Sequence, residues 1–315
     1  LLPPVVSSFE YNRPADAIQT SAGRFSQWTR EDVSAMIFHD RREIGMNVFL
    51  SADLEGTAFA VTRESLRPGG HDYERSRQEM TLEVLAAAEG ARAAGADRVV
   101  VRDAHGPGIN LYPEQMPDYV ELIRGWSYEP RMMVEGLDEH FDAALFVGYH
   151  SAAGQEGNAL SHTISGAALH SIRVNGQPAS EFLIYSWLAA YYGVPSVLLT
   201  GDRALCEAGK ALHPALVTVP VRNDVGGGAQ SLSSPAACRL IRAAAEQALR
   251  QDLQAARISL PEHFQVQLCY KDHAMAYRKS FYPGAAWADP CTIVFESDDW
   301  YEVNRFYSVK KLGLQ

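Results

Sequence analysis

Cysteine is scarce: the 315 residues hold four, at 206, 238, 269 and 291, with no CxxC pair. That spacing excludes a zinc ribbon or a thiol redox motif, and a chain this long does not call for a disulfide framework. No apolar run reaches the roughly 20 residues that cross a bilayer, so no membrane partner is expected. There is no long basic run either; 28 basic residues stand against 38 acidic ones, for a net charge of −10. Such a surface repels phosphate backbones, and nucleic acid is not an expected partner. The opening Leu1-Leu2-Pro3-Pro4-Val5-Val6 lacks the basic and long apolar regions of a secretory signal, which points to a cytoplasmic enzyme. Also missing are HExxH, GxSxG, GxxxxGK[ST] and a strand-to-helix GxGxxG; Gly106-Pro107-Gly108 is too short and lacks the third glycine. Nucleotide binding and serine-hydrolase chemistry lose ground accordingly.

What is present reads as a globular protein. The hydrophobic fraction is 47% and the charged fraction 21%, and the length suits two domains. Residues 1–45 stand apart, rich in Pro, Ser and Ala at the start, and read as an arm-like, partly disordered extension with one helix over Trp28–Arg42. From Met46 strands and helices alternate. Strands are predicted at 47–53, 98–103, 119–123, 144–149 and 196–200, and helices at 73–94, 137–141, 180–192 and 202–212. Asn175-Gly176 supplies the positive φ of a hairpin turn between 170–174 and Gln177-Pro178. Further on come a strand at 216–221, a Gly226-Gly227-Gly228 loop and a helix over 235–256. A strand at 264–270, a helix at 274–279, a strand at 292–296 and a helix at 300–309 close the chain. The expected fold is α/β: a mostly parallel, doubly wound sheet over 46–213, and a smaller α+β domain over 214–315.

Strands apolar on both faces belong to parallel sheets covered by helices, and ligands bind outside their C-terminal ends. Three clusters sit there: Asp53 and Glu55 after Asn47–Ser51, Asp103 and His105 after Val99–Val101, and His150 after Ala144–Tyr149. Asp53 and Glu55, two apart on an extended strand, point to one side. Two carboxylates that close repel, which raises the pKa of one unless a cation lies between them. Asp103 is placed to fix the tautomer of a metal-bound His105. Each has an ordinary alternative: a solvated strand end for Asp53 and Glu55, a loop histidine bonded to its neighbour for His105, a structural histidine for His150. His162 follows the small, flexible stretch Ala152–Gly157 and could serve as base, acid or oxyanion stabiliser. Glu181 opens a helix behind Ser180, where a carboxylate also suits the helix dipole, so a ligand role is credible only alongside the others. Convergence of the clusters on one pocket makes a metal-dependent hydrolase the leading reading.

With these residues in place a resemblance emerges. Ser51-Ala52-Asp53-Leu54-Glu55-Gly56, Tyr73-Glu74-Arg75-Ser76-Arg77, Asp103-Ala104-His105 and Met133-Val134-Glu135-Gly136-Leu137 are similar to the M55 family of zinc D-aminopeptidases. Gly148-Tyr149-His150, Ser161-His162 and the helix opening at Glu181 continue the match in the same order, densely before Asp202 and weakly after it. The resemblance implies a metallo-aminopeptidase with two Zn²⁺ per subunit, acting on short peptides with an N-terminal D-residue. It implies Asp53, Glu55, His105, His150 and Glu181 as metal ligands, with Asp53 bridging, and His162 as the catalytic residue. It also implies a ring-shaped homo-oligomer, decameric in the type member, with active sites facing an inner cavity. Three carboxylates and two neutral histidines suit a zinc pair, which would provide a bridging hydroxide as nucleophile at neutral pH. The loop between His150 and His162 departs from the type member, which bears on substrate preference. Trp126-Ser127-Tyr128 and Trp300-Tyr301 are read as ordinary packing.

Two other classes compete. A two-metal phosphoesterase also uses Asp and His, though no evident Arg/Lys cluster flanks these ligands. A non-catalytic peptide-binding module would have no need of five potential ligands in one ordered set.

Overall fold

The computed structural model describes residues 45–308. The arm expected over residues 1–45, with its helix, lies outside the described residues except for Gly45. Strands β1 (Met46–Ala52), β2 (Ala96–Asp103), β3 (Val120–Ile123) and β4 (Ala143–Tyr149) are followed by β5 (Leu169–Val174) and β6 (Gln177–Pro178). Then come β7 (Ser196–Asp202), β8 (Val217–Val225), β9 (Gly228–Ser231), β10 (Phe264–Tyr270), β11 (Ala285–Asp289) and β12 (Thr292–Ser297). The helices are α1 (Tyr73–Ala93), α2 (Glu181–Tyr191), α3 (Arg203–Leu212), α4 (Ser234–Arg250), α5 (His273–Lys279) and α6 (Trp300–Ser308).

A seven-stranded sheet has the order β3-β2-β1-β4-β7-β8-β9, parallel except where β9 turns back on β8. Strand order runs outward in one direction from β1 and in the other from β4, so the direction of winding reverses between these two. That reversal opens a crevice at their C-terminal ends, the usual ligand position in such sheets. Ala52 pairs with Asp103 on one side and with Val147 on the other, which sets three strand ends level. The middle strands are buried on both faces because both are covered. On one face α1 packs against α4, with Met80, Val84, Ala237 and Ile241 fully buried. Side chains such as Met80 and Ile241 each contribute about 1.5–3 kcal/mol by leaving water. The opposite face meets α2, α3 and the second sheet around Phe146, Phe182 and Trp300.

That second sheet is antiparallel, in the order β11-β12-β10-β5-β6. The β5–β6 turn has Asn175 at φ 49° and Gly176 at φ 79°, as Asn-Gly predicts. The expected division near residue 213 does not follow the sheets. Strands β8 and β9 and helix α4 complete the first layer, whereas β5 and β6, well upstream, start the second. The composition of a segment does not reveal which sheet edge it will join.

Smaller differences have local causes. No helix forms over 137–141; a single 3-10 turn at Met132–Val134 precedes Gly136, whose φ of 92° ends it. The helix expected to reach 256 stops at Arg250, where Gln251 turns extended. Strands β9 and β11 were not predicted: the first is the return of the triple-glycine turn, the second a short, largely exposed edge.

Candidate metal centre

The crevice between β1 and β4 exists because three glycines let backbones nearly touch. A Cβ on Gly56 would lie 1.8 Å from the Tyr149 carbonyl oxygen, one on Gly201 1.9 Å from the same atom, and one on Gly148 2.3 Å from the Asp53 oxygen. Gly56 N–H donates to Gly148 O at 2.8 Å and Asp53 N–H to Val147 O at 2.8 Å, which clamps the β1 exit against β4. Asp53 and Glu55 therefore do not lie on an extended strand as expected. The chain turns directly after Ala52, Thr57 N–H closes on Leu54 O at 3.2 Å, and the turn aims both carboxylates into the crevice.

All six residues singled out from the sequence converge there. His105 Nδ1 lies 3.3 Å from Asp53 Oδ1 and 2.8 Å from Glu55 Oε2. His150 Nε2 lies 3.4 Å from Asp53 Oδ2 and 3.3 Å from Glu181 Oε2. His162 Nε2 is 3.8 Å from Glu55 Oε1 and 3.9 Å from Glu181 Oε1. All but His162 are buried. Two triads with metal-ligating geometry, Asp53–Glu55–His105 and Asp53–His150–Glu181, share Asp53; a third possible group is Glu55–His150–His162.

Each histidine commits one ring nitrogen to a backbone carbonyl, which can only accept, so that nitrogen carries the proton. His105 Nε2–H donates to Leu66 O at 2.8 Å, His150 Nδ1–H to Ser151 O at 3.0 Å, and His162 Nδ1–H to Leu160 O at 3.0 Å. The other nitrogen of each ring faces the carboxylates. Asp103 does not play the part expected of it beside His105. Its carboxylate accepts from Asn110 N–H at 2.5 Å, Asn110 Nδ2 at 2.7 Å and Leu111 N–H at 2.8 Å. Asn110 in turn donates to His105 O at 2.7 Å, and Tyr73 Oη and Arg77 Nε each donate to it at 2.7 Å. The first helical turn of α1 thus shapes the His105 loop.

Electrostatically the cluster is strained without a cation. Burial, reinforced by Glu55, pushes the Asp53 carboxyl up to about 7. Burial opposes ionisation of Glu55 too, yet the adjoining His105 holds its carboxyl well below the usual range. Burial alone would lower His150, but the Glu181 carboxylate overrides it and raises the imidazole to about 10. His105 is likewise held well above its ordinary value, by Glu55 and Asp53 against the opposing effect of burial. Asp53 Oδ2, Glu55 Oε2 and His150 Nε2 are buried with no partner in hydrogen-bonding geometry. Unsatisfied buried polar atoms of this kind cost about 1–3 kcal/mol each, and a divalent cation, displacing the imidazole proton, would satisfy them together. The donor set, imidazole nitrogen with carboxylate oxygen, fits zinc.

Four supporting residues escaped the sequence reading. Arg222, 2% exposed, grips Asp224 through Nε at 2.8 Å and Nη2 at 2.6 Å. Its Nη1 donates to the carbonyls of Glu55 at 3.2 Å, Thr57 at 3.1 Å and Ala60. Asp224 accepts from Ala159 N–H at 2.8 Å. Asp202 caps α3 and accepts from Ser151 N–H at 2.7 Å and Ser151 Oγ at 2.6 Å, while Asn158 Nδ2 donates to Glu55 O at 3.1 Å. Alternation gave no signal for them: the valines of β8 stand at 217, 219, 221 and 225, and Arg222 and Asp224 fall on the other parity, where exposure is expected. Glu181, at the first position of α2 behind the Ser180 cap, accepts from Ile164 N–H at 2.6 Å and so ties the His162 loop to the helix. Ile164 pays for that with φ 63°, a strained value for a β-branched residue.

Comparison with known proteins places this geometry. Residues 46–309 match the family Peptidase M55, described as D-aminopeptidase. A D-aminopeptidase of Bacillus subtilis (strain 168) is 29% identical over 259 residues, covering 82% of this chain and 93% of that protein. The solved structure of the Zn-dependent D-aminopeptidase DppA from Bacillus subtilis, a self-compartmentalizing protease, matches with a TM-score of 0.79 at 26% identity. The match covers 84% of this chain and 97% of the other.

Proposed function

The chain belongs to the M55 family of D-aminopeptidases, metallo-aminopeptidases as a class, and from that premise we propose that it removes the N-terminal residue, of D configuration, from short peptides using two zinc ions. Asp53, Glu55 and His105 would hold one ion and Asp53, His150 and Glu181 the other, with Asp53 shared. The observation that carries this reading is the pair of triads meeting at Asp53, with each imidazole turning into the cluster the nitrogen that it does not commit to a backbone carbonyl. A zinc pair, when bound, supplies Lewis acidity and activates water at neutral pH.

The remaining work falls to the chain. The narrow end of the crevice, lined by Asp53, Glu55 and Glu181, admits a chain terminus in preference to a mid-chain segment, which favours exopeptidase cleavage. His162 Nε2, free to accept, faces the same space from a ring only partly exposed. There it takes up a proton during attack and returns it to the departing amine, or, once protonated, donates to the developing oxyanion. A homo-oligomeric ring, a decamer, accords with the self-compartmentalizing Bacillus relative. The exposed aromatic cluster Tyr277, Phe281 and Trp287 beside edge strand β11 suits an interface. Four unbridged cysteines suit a reducing, cytoplasmic compartment. No described helix is long and apolar enough to cross a membrane.

The test is elemental analysis of the purified full chain combined with a panel of D- and L-aminoacyl peptides and a phosphate ester. About two zinc per chain and cleavage restricted to D-aminoacyl peptides are expected. Cleavage of the phosphate ester in place of peptides would overturn the reading.

A further inference from the structure

Two cavities meet at Glu55 and His162. One, of about 150 Å³, holds Asp53 and Glu181 and is closed by Met132, Met133, Ile164 and Tyr185. The other, of about 370 Å³, runs past Leu160 and Gly166 and is lined also by Arg63, His170 and Lys271. The first is smaller than the roughly 300–1,000 Å³ usual for small-ligand sites, and the second falls at the low end of that range. A peptide crossing the shared boundary would therefore keep one small side chain on the carboxylate side and one or two residues on the other.

We propose that the larger cavity recognises the free C-terminal carboxylate of the substrate through Lys271 and Arg63, making unmodified di- and tripeptides the preferred class. This rests on the peptidase reading and gives it a direction. A short peptide carries a cation at one end and an anion at the other. The large cavity offers cations to the anionic end. In a chain of net charge −10, a free carboxylate is repelled in general, so a local pair of cations has to draw it in. Neither cation is neutralised: Arg63 and Lys271 have no carboxylate partner among the described residues.

Both are also anchored where they are needed. Lys271 follows β10 directly; its backbone N–H donates to Ala168 O at 2.9 Å and its Nζ to Gly166 O at 2.6 Å. That leaves two of three ammonium hydrogens for a ligand. Arg63 opens the 3-10 turn Arg63–Ser65, next to Leu66, whose carbonyl orients His105. The turn that steadies a proposed metal ligand therefore also places the cation.

The test compares D-Ala-D-Ala with its C-terminal amide on the zinc-loaded full chain. The acid should be favoured about 10-fold or more in kcat/KM, mainly through KM, as expected for hydrogen bonds to a charge. Lys271→Ala and Arg63→Ala should each shrink that ratio, the double variant should bring it near unity, and Lys271→Arg should largely restore it. Equal rates for acid and amide, or a ratio unmoved by the double variant, would overturn the proposal while leaving the peptidase reading intact. If neither compound is cleaved, the peptidase reading fails. Calorimetric binding of acid and amide to the His162→Ala protein then decides this one, with equal affinities counting against it.

Discussion

The imidazole of His162 lies flat against that of His150, ring centroids 4.4 Å apart and planes inclined by 16°. The stack, with the Nδ1–H bond to Leu160 O, fixes where Nε2 of His162 points. Replacing His162 by alanine is expected to lower kcat by about 100- to 10,000-fold, the usual contribution of a general acid–base group. Elemental analysis should find the zinc content unchanged. Parallel loss of metal would make His162 a ligand instead.

Asp53 reaches both sides of the centre, Oδ1 towards His105 and Oδ2 towards His150. Changes outside a metal's immediate ligands cost about 10- to 100-fold in affinity, and loss of a shared ligand should cost more. Asp53→Ala is therefore expected to retain less than one zinc per chain and to be inactive. A variant that still held two ions would remove Asp53 from the bridging position.

Arg222 joins the turn after β1 to strand β8 across 167 positions of sequence. Arg222→Met strands the Asp224 carboxylate in the interior, and removing one partner of a buried pair costs about 3–5 kcal/mol. Chemical denaturation should register that loss, and zinc affinity should weaken as the Glu55 turn loosens. The double change Arg222→Met/Asp224→Leu should recover part of the stability, since it leaves no lone buried charge.

Glu83 is fully buried beneath that turn, where its Oε1 accepts from Ala58 N–H at 2.9 Å. Burial raises its carboxyl from an ordinary 4.5 to about 8. Between those values the folded protein keeps a proton that the unfolded chain has released. The stability so contributed is present below about pH 4.5 and is lost as pH rises to about 8. Glu83→Gln mimics the protonated form. It should leave stability near pH 4.5 almost unchanged and raise it at pH 8 by on the order of 1–3 kcal/mol. Thermal melts across that range check this; parallel curves for both proteins would place the proton elsewhere.

The strand ends were legible because period and burial agree: β1, β2 and β4 are apolar on both faces, and polar residues begin where each runs out. The ligand candidates could be read for the same reason. The Asn175-Gly176 turn and the Ser180 cap are local chemistry and came through as well. Asp103 misled because sequence proximity to His105 suggested direct contact, whereas a turn sends its carboxylate back to Asn110. Arg222 and Asp202 were missed because their partners lie far along the chain, and no local pattern encodes such distances. The sheet assignments of β5 and β8 are non-local in the same way.

The route from His150 to Glu181 sets the order in which the cleft can form. Between these two residues the chain leaves the first sheet, lays down β5 and β6, and returns through α2. Strand β5 is completed only by β10, some ninety residues later. Until β10 is in place, β5 has one unpaired edge beside the loop that frames the cleft. The cleft is therefore framed only once the chain beyond residue 264 has folded back, and its assembly belongs to the late, non-local stage of folding.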